Sequence, residues 1–210
     1  MQPFTQLTSI AIPLDLRHVD TDAIIPARFL RLPRSDYGKS VFNDLRLDGD
    51  GNKLDFPFNK SEYYKAQILV ADENFGCGSS REAAVWALAE HDGTVLETGL
   101  RCVIAPSFGD IFYNNCTKNG VLPIRLPEEA CADLRKQLHG DVGATVSVDL
   151  VAQKVVFPGG EEHSFEIDPN RKHCLVNGLD DVAVTQQYAA DIDSYEERMR
   201  AERPWALTRQ

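Results

Sequence analysis

Residues 66–89 read AQILVADENFGCGSSREAAVWALA. The first part, residues 66–71, is largely apolar and has the length of a buried strand. The last part, residues 83–89, is rich in strong helix formers and carries an apolar face. Residues 74–82 therefore form a strand-to-helix turn, in which two glycines permit backbone conformations that other residues avoid.

Two hydroxyls lie near the end of this turn. We expect Ser79 or Ser80 to be the N-cap of the helix, with Glu82 completing a capping box. A hydroxyl there would lie among unpaired N–H groups at the positive end of a helix, where an alkoxide or a bound carboxylate is stabilised. Arg81 adds a planar guanidinium suited to gripping a carboxylate. The residues also suit an ordinary Gly-rich turn with a serine cap, and composition leaves both interpretations open.

The composition indicates a globular protein. Of 210 residues, 43% are hydrophobic and 26% are charged, which is ordinary for one domain with extensions. The formal charge of −10 argues against a nucleic-acid or anionic-membrane partner. No segment approaches the roughly 20 apolar residues that span a bilayer, and residues 1–7 do not resemble a secretory signal. We therefore expect a cytoplasmic protein.

The cysteines and histidines do not form a recognisable metal motif. The five cysteines are widely spaced and include no Cys-x-x-Cys pair, so we expect reduced thiols and no metal or cluster held by this chain alone. They are Cys77, Cys102, Cys116, Cys131 and Cys174. The five histidines share no metal-ligand spacing.

Strands and helices alternate on both sides of the central turn. The predicted elements are a strand over residues 4–13, a strand over 102–105, a helix over 106–120 capped by Ser107, a strand over 121–124 and a helix from 127. In the helix over 106–120, we expect Phe108, Ile111, Phe112 and Cys116 to share the buried face. This alternation predicts an α/β fold with parallel pairing in its middle.

The pattern changes after residue 145. Apolar residues recur in three short runs around a Pro-Gly-Gly turn at residues 158–160, which predicts an antiparallel section. A helical tail begins at Asp168, and Tyr188, Ile192 and Tyr195 mark an amphipathic face in it. Because no linker divides the chain, we expect a single domain over residues 1–210 with a helical C-terminal tail.

A second polar motif lies near the N-terminus, where Asp20, Thr21 and Asp22 precede an Ile-Ile-Pro sequence. Two acids around a threonine could bind a metal, cap the next segment or hold a loop through side-chain-to-backbone bonds. The segment after it, residues 27–37, contains Pro33 and a polar end, which argue against a continuous helix.

Four segments in the right order resemble the small subunit of 3-isopropylmalate dehydratase, a member of the aconitase superfamily. They are residues 19–26 (VDTDAIIP), 74–82 (NFGCGSSRE), 108–122 and 171–181 (RKHCLVNGLDD). The resemblance covers nearly the whole chain. It implies a swivelling β/β/α domain of the aconitase type, with a mixed parallel sheet, flanking helices and an antiparallel C-terminal section.

The resemblance also implies an activity and a set of site residues. The family's enzymes are hydro-lyases that interconvert 2-isopropylmalate and 3-isopropylmalate through 2-isopropylmaleate in leucine biosynthesis. Ser79 matches the family's catalytic serine, which acts as an alkoxide base. The implied substrate-binding residues are Ser80, Arg81, Asp20, Thr21, Asp22, Phe29, Leu30 and Arg31. Of these, Phe29 and Leu30 could line an apolar pocket, and Arg31 could meet an extra carboxylate.

The same resemblance implies a partner. The family uses a [4Fe–4S] cluster, and its three cysteine ligands are expected on a separate large subunit. We therefore expect a heterodimer or larger assembly that acts on a small dicarboxylic acid, and an inactive isolated chain.

One departure from the family pattern bears on the substrate. The family usually has His-Ala-Pro after Ser-Ser-Arg-Glu, whereas this chain has Ala83, Ala84 and Val85. The change leaves three alternatives to isopropylmalate dehydration open: homoaconitate, a methylmalate-type acid, or a divergent non-catalytic subunit.

Overall fold

The computed structural model describes residues 1–91 and 93–206. Its seven strands are β1 (Gln6–Pro13), β2 (Ile68–Val70), β3 (Cys102–Ala105), β4 (Leu122–Arg125), β5 (Thr145–Asp149), β6 (Lys154–Val156) and β7 (Glu162–Ser164). They form one sheet in the order β4-β3-β2-β1-β5-β6-β7. Strands β1 to β4 are parallel, whereas β5 to β7 join antiparallel. The predicted α/β fold with an antiparallel C-terminal section is confirmed.

The α-helices of the described residues are α1 (Thr21–Ile24), α2 (Asn43–Arg46), α3 (Glu82–Ala89), α4 (Asp110–Lys118), α5 (Glu128–Gly140), α6 (Pro169–Asn177), α7 (Asp181–Gln186) and α8 (Ala189–Glu202). None of them is long and apolar enough to cross a membrane. Short 3₁₀ turns connect β1 to β2, including Ala27–Arg31, so the prediction of an interrupted segment there is confirmed.

Side chains alternate along the central strands and so build two apolar cores, one on each face of the sheet. Ile12, Leu69 and Val103 face the core that α3 and α4 cover. Ile68 and Ile104 face the opposite core, which α5 covers. Because the parallel strands are buried on both faces, they read as continuous apolar runs in the sequence.

The parallel direction of β1 to β4 places the connecting loops on one edge. Since these four strands run parallel to one another, each of them ends on the same side of the sheet. The loops that follow β1, β2 and β3 therefore meet at the carboxyl edge, where ligands bind in open α/β sheets.

The helix predicted over residues 106–120 is shorter than expected. It is α4, which starts at Asp110 with Gly109 as its N-cap, so the expected cap by Ser107 is wrong. Ile111 is 49% exposed, which also corrects its assignment to the buried face. Phe112 and Cys116 are buried as expected, and Tyr113 is buried in place of Ile111.

The C-terminal tail is helical as predicted, but its apolar face is exposed to solvent. No residue of α7 or α8 is buried, and Tyr188 and Tyr195 are each more than half exposed. The start of α7 is held by an ion pair of 2.8 Å between Lys118 Nζ and Asp181 Oδ2. That residues 1–210 act as one domain stays a prediction.

Candidate active site

Three loops meet at the carboxyl edge of the parallel strands. They are residues 14–20 after β1, residues 71–81 after β2 and residues 106–109 after β3. Parallel bridges join Asp20 to Cys77 and Phe75 to Phe108. The loop after β2 therefore lies between the other two, in the same order as the strands.

Backbone hydrogen bonds join the loop after β2 to the loop after β1. Gly76 N donates to Val19 O over 2.7 Å, and Thr21 N donates to Cys77 O over 3.0 Å. The Thr21 side chain, which is almost fully buried, donates through Oγ1 to Ser79 O over 3.1 Å. These contacts fix the backbone on which the Ser79 hydroxyl is carried.

The loop after β3 supports the other side. Phe75 N donates to Ser107 O over 3.0 Å, and Gly109 N donates to Phe75 O over 2.9 Å. Ser107 Oγ accepts from Asn74 N over 2.8 Å. Ser107 is thus engaged by the neighbouring loop, which is the physical reason that it does not cap α4.

Gly76 lies where the loop after β2 packs most tightly. Its φ is +71°, and a Cβ there would collide with the Phe112 ring. Gly78 has a φ of +84°, but its Cβ would lie 3.4 Å from Asp20 Cβ, an ordinary contact. Both positions strain an L-residue, whereas only Gly76 also lacks space.

We predict that Gly76→Ala destabilises the chain by about 2–4 kcal/mol, since left-handed strain and overpacking add. For a chain of this size that lowers the melting temperature by very roughly 5–15 °C. Gly78→Ala is the matched control and should lose about 1–2 kcal/mol, from strain alone. Calorimetry of both variants checks this, and equal losses would contradict the tight contact with Phe112.

The serines do not cap the helix that follows. Helix α3 begins at Glu82 with Arg81 as its N-cap, and Arg81 makes no side-chain capping bond in the described structure. The expected capping box is therefore wrong. Glu82 instead accepts from Asn119 Nδ2 over 2.8 Å through Oε1, while Ser79 and Ser80 precede the helix and are exposed.

This arrangement leaves the start of α3 open to an anion. Helix N-terminal N–H groups that no side chain caps remain available to a ligand. Ser79 is carried three residues before that terminus, and the Arg81 side chain is only 20% exposed. The segment of residues 79–82 therefore carries a hydroxyl, a guanidinium and a helix N-terminus.

Arg81 is oriented by the motif near the N-terminus. Its Nη1 donates to Asp22 Oδ1, and this hydrogen bond lowers the pKa of the Asp22 carboxyl below its ordinary value. Asp20 accepts from Ala23 N over 2.7 Å and so caps α1. Of the uses open to the Asp20–Asp22 motif, capping and loop support are observed. Thr21 contacts Ser79, and Asp22 contacts Arg81.

We predict that Asp22→Asn changes how stability depends on pH. Because the folded chain depresses the Asp22 pKa, the ion pair stabilises the fold above about pH 4 and this contribution is lost as the pH falls. Asp22 is about half exposed, so the difference at pH 7 should be about 1 kcal/mol or less.

Thermal unfolding of both proteins between about pH 2 and pH 7 measures this difference, which should vanish at the acid end. Asp193→Asn, on exposed helix α8, controls for loss of one negative charge. A difference between wild type and Asp22→Asn that stays constant across the range would contradict a role for the Arg81 pair.

The predicted pocket residues Phe29, Leu30 and Arg31 lie in the 3₁₀ turn that follows α1. Phe29 and Leu30 are partly buried against the α3-side core, and Tyr37 Oη donates to Leu30 O over 3.2 Å. Arg31 is exposed. Among the described residues, no hydrogen bond or ion pair joins these three side chains directly to Ser79 or Arg81.

The cysteines do not fit an iron–sulfur cluster. Within residues 1–91 and 93–206, no three side chains of His, Cys, Asp or Glu gather as a metal site. Cys102, Cys116 and Cys131 are buried, and burial raises the pKa of the Cys131 thiol to about 12. Burial also raises the pKa of the Cys77 thiol.

Three family models match successive segments of the chain. The family model of the Aconitase C-terminal domain matches residues 1–129, more than half of the chain. The model described as LeuD_N matches residues 132–169. The model of the C-terminal domain of the 3-isopropylmalate dehydratase small subunit matches residues 181–209.

Full-length relatives decide the family. The 3-isopropylmalate dehydratase small subunit of Rhodospirillum centenum is 50% identical over 209 residues, which cover 99% of this chain and all of that relative. The chain belongs to the 3-isopropylmalate dehydratase small-subunit family. A second small subunit, from Dinoroseobacter shibae, is 51% identical over 98% of the chain and all of its own length.

A solved structure extends the match to three dimensions. The 3-isopropylmalate dehydratase crystal structure from Methanocaldococcus jannaschii has a TM-score of 0.63 and 27% identity, covering 91% of this chain and 99% of that one. The small-subunit resemblance expected from the sequence is confirmed. The departures from the family motif lie on α3, where Val85 is buried and Ala83 is partly buried against the same core.

Sequence reasoning missed several residues that support this small-subunit site. His18 has a φ of +53°, and its Nδ1 lies 3.1 Å from Asn74 Nδ2. Asn119 joins α3 through Glu82 and through a 2.9 Å bond from Trp86 Nε1. Asp15 and Asp72 directly follow two neighbouring strands. Acids placed directly after buried parallel strands are a signal that could have marked this edge.

Proposed function

We propose that the chain supplies the base and the carboxylate-binding groups of a 3-isopropylmalate dehydratase. The observation that carries the proposal is the exposed Ser79 hydroxyl, placed two residues from Arg81 and before an uncapped helix N-terminus. The full-length relatives are named as small subunits of this enzyme. The activity is a hydro-lyase reaction of leucine biosynthesis.

The chemistry requires removing a proton from a carbon next to a carboxylate. Ser79, as an alkoxide, would take that proton, and the electron pair of the C–H bond would move into the forming C=C bond as the hydroxyl departs. A serine hydroxyl is a very poor base, so its anion must be stabilised. The Arg81 guanidinium and the N–H groups at the start of α3 would supply the positive charge that stabilises it.

Substrate orientation is assigned to the neighbouring groups. Arg81 and Ser80 would hold a substrate carboxylate, since a guanidinium binds it through two parallel bonds. Thr21 would act by holding the Ser79 backbone, and Asp22 by holding Arg81. Asp20 would act by capping α1, the helix that contains Thr21 and Asp22. Fixing the reacting groups in this way lowers the barrier through orientation.

The variable group of the substrate would be recognised by the 3₁₀ turn after α1. Phe29 and Leu30 offer apolar surface for an isopropyl group, whereas Arg31 would favour a third carboxylate. The relatives' names support isopropylmalate, and homoaconitate and methylmalate-type acids remain as alternative substrates.

A large subunit would complete the site. The small-subunit names imply such a partner, and we propose that it carries the [4Fe–4S] cluster, because the described side chains of this chain do not fit one. The large subunit would then supply the group that accepts the departing hydroxyl. We also propose that residues 1–210 act as a single swivelling domain in the cytoplasm.

The test is reconstitution with a large subunit of the same family. We expect no conversion of either isopropylmalate isomer by the chain alone, and formation of 2-isopropylmaleate, followed by ultraviolet absorbance, once the partner is added. Isopropylmalate should have a higher kcat/KM than homoaconitate or methylmalate. Turnover by the isolated chain would contradict the shared site, and a preference for homoaconitate would reassign the substrate.

A further inference from the structure

A buried arginine on the far face of the sheet joins the bases of two active-site loops. Arg135 belongs to α5, and its side chain is 8% exposed. Its Nη1 donates to Ala71 O and its Nη2 to Asp72 Oδ2, each over 2.8 Å. Its Nε donates to Asp15 Oδ1, also over 2.8 Å. One guanidinium thus binds Asp15, which follows β1, and Ala71 and Asp72, which follow β2.

Few other groups among the described residues contact Asp15 and Asp72, and one of them is Glu73 N, which donates to Asp72 Oδ1 over 2.7 Å. His139, also on α5, lies 2.5 Å from Asp15 Oδ2 through Nε2. Arg17 Nε lies 3.7 Å from Asp72 Oδ2, and the Arg17 side chain is 55% exposed. Arg135 is therefore the buried member that touches both carboxylates.

Contacts between the two loops continue from this point toward Ser79. His18 N donates to Glu73 O over 3.0 Å. The bonds of Gly76 N to Val19 O and of Thr21 N to Cys77 O follow, and the last contacts are Thr21 Oγ1 to Ser79 O and Arg81 to Asp22. These contacts join the residues after β1 to the residues after β2 from the level of Asp15 and Asp72 up to Ser79 and Arg81.

We propose that Arg135 is a positioning residue for the dehydratase reaction, which sets the spacing of the loops after β1 and β2 and thereby places Ser79 and Arg81. The expected kinetic effects rest on the proposed function, whereas the expected effect on loop spacing does not. A lysine at this position keeps the charge, but its donors all lie on one nitrogen, so it cannot replace three bonds that a planar guanidinium directs to separate acceptors.

The first measurement is amide hydrogen exchange in the full chain. We expect Arg135→Lys to speed exchange at least about ten-fold in residues 18–21 and 73–81, because their shared base is loosened. Arg101→Lys is the matched control. Arg101 is also partly buried and donates to the carbonyls of Gln2 and Pro3, near the opposite end of the sheet, so it should leave those amides unchanged.

The second measurement is kinetics of the complex with the large subunit. We expect Arg135→Lys to lower kcat by about ten- to a hundred-fold, since small misplacements of reacting groups slow enzymes by that much, while Arg101→Lys keeps the wild-type kcat. In a Ser79→Ala background, Arg135→Lys should lower the residual kcat by a clearly smaller factor than in the wild type, because one of the two groups that it places is absent.

Distinct results overturn this inference. One is unchanged hydrogen exchange in both loops, and another is an unchanged kcat in folded Arg135→Lys. A third is an Arg135→Lys loss of kcat that is as large in the Ser79→Ala background as in the wild type. If Arg135→Lys does not fold, Asp15→Asn removes one arm at a half-exposed carboxylate and should speed exchange in the same amides. If Ser79→Ala alone leaves the rate unchanged, the proposed function fails, and hydrogen exchange still decides on Arg135.

Discussion

Ser79→Ala should lower kcat of the reconstituted enzyme by about 10²–10⁴-fold, the range that a positioned general base contributes. The KM should change little, because Arg81 and Ser80 still hold the substrate. The Ser79 side chain is exposed and its backbone is held by Thr21. The melting temperature and the affinity for the large subunit should therefore stay at wild-type values. Steady-state kinetics with isopropylmalate and a saturating partner measure this.

Ser194→Ala provides the control for this experiment. Ser194 lies on α8, where its Oγ donates to Ala190 O over 2.8 Å, and the variant should keep the wild-type kcat. An unchanged rate for Ser79→Ala in a folded complex would remove the base from this chain. The alternative of a non-catalytic subunit would then be favoured.

Arg81→Met should lower kcat/KM by about 10²–10³-fold, because it removes charge-assisted bonds worth about 1.5–3 kcal/mol each. Most of the loss should appear as a higher KM, and part as a lower kcat, since charge builds up on the bound carboxylate as the proton leaves. Arg81→Lys should recover only part of the activity, because an ammonium group cannot make the two parallel bonds.

Stability separates this effect from misfolding. Removing Arg81 leaves Asp22 without its guanidinium partner, but Asp22 is 52% exposed, so unfolding should become easier by about 1 kcal/mol or less. Arg200→Lys changes an exposed arginine that pairs with Glu196 on α8 and should leave kcat/KM unchanged. A wild-type KM for Arg81→Met would show that the substrate carboxylate is bound elsewhere.

Elements with a strong local signal were predictable from the sequence. Strand β3 has the predicted bounds, residues 102–105, because a short apolar run between polar segments has few alternatives. Helix α5 begins immediately after Pro127, where the fixed φ of proline and the two following glutamates favour a helix start. The antiparallel section after residue 145 also follows from its alternating pattern.

Helix starts that depend on neighbouring loops were not predictable. The capping signal at Ser79, Ser80 and Glu82 is locally sound, yet Arg81 is extended and α3 begins only at Glu82, while Thr21 holds the Ser79 carbonyl from another part of the chain. Ser107 shows the same effect, since its hydroxyl accepts from Asn74 instead of capping α4. Both serines are thus held by contacts from distant parts of the chain, and at Ser107 that contact occupies the hydroxyl itself.

The sequence alone determined the alternation of strands and helices and the position of the Gly-rich turn that carries Ser79 and Arg81. Those features depend on hydrophobic period and on glycine's backbone freedom, which act over a few residues. Only the tertiary structure decided that Thr21 holds Ser79, 58 residues away, and that Asp22 holds Arg81, 59 residues away. The physical reason is that β1 and β2 become parallel neighbours only when the whole sheet assembles, so no local pattern records which of their loop residues meet.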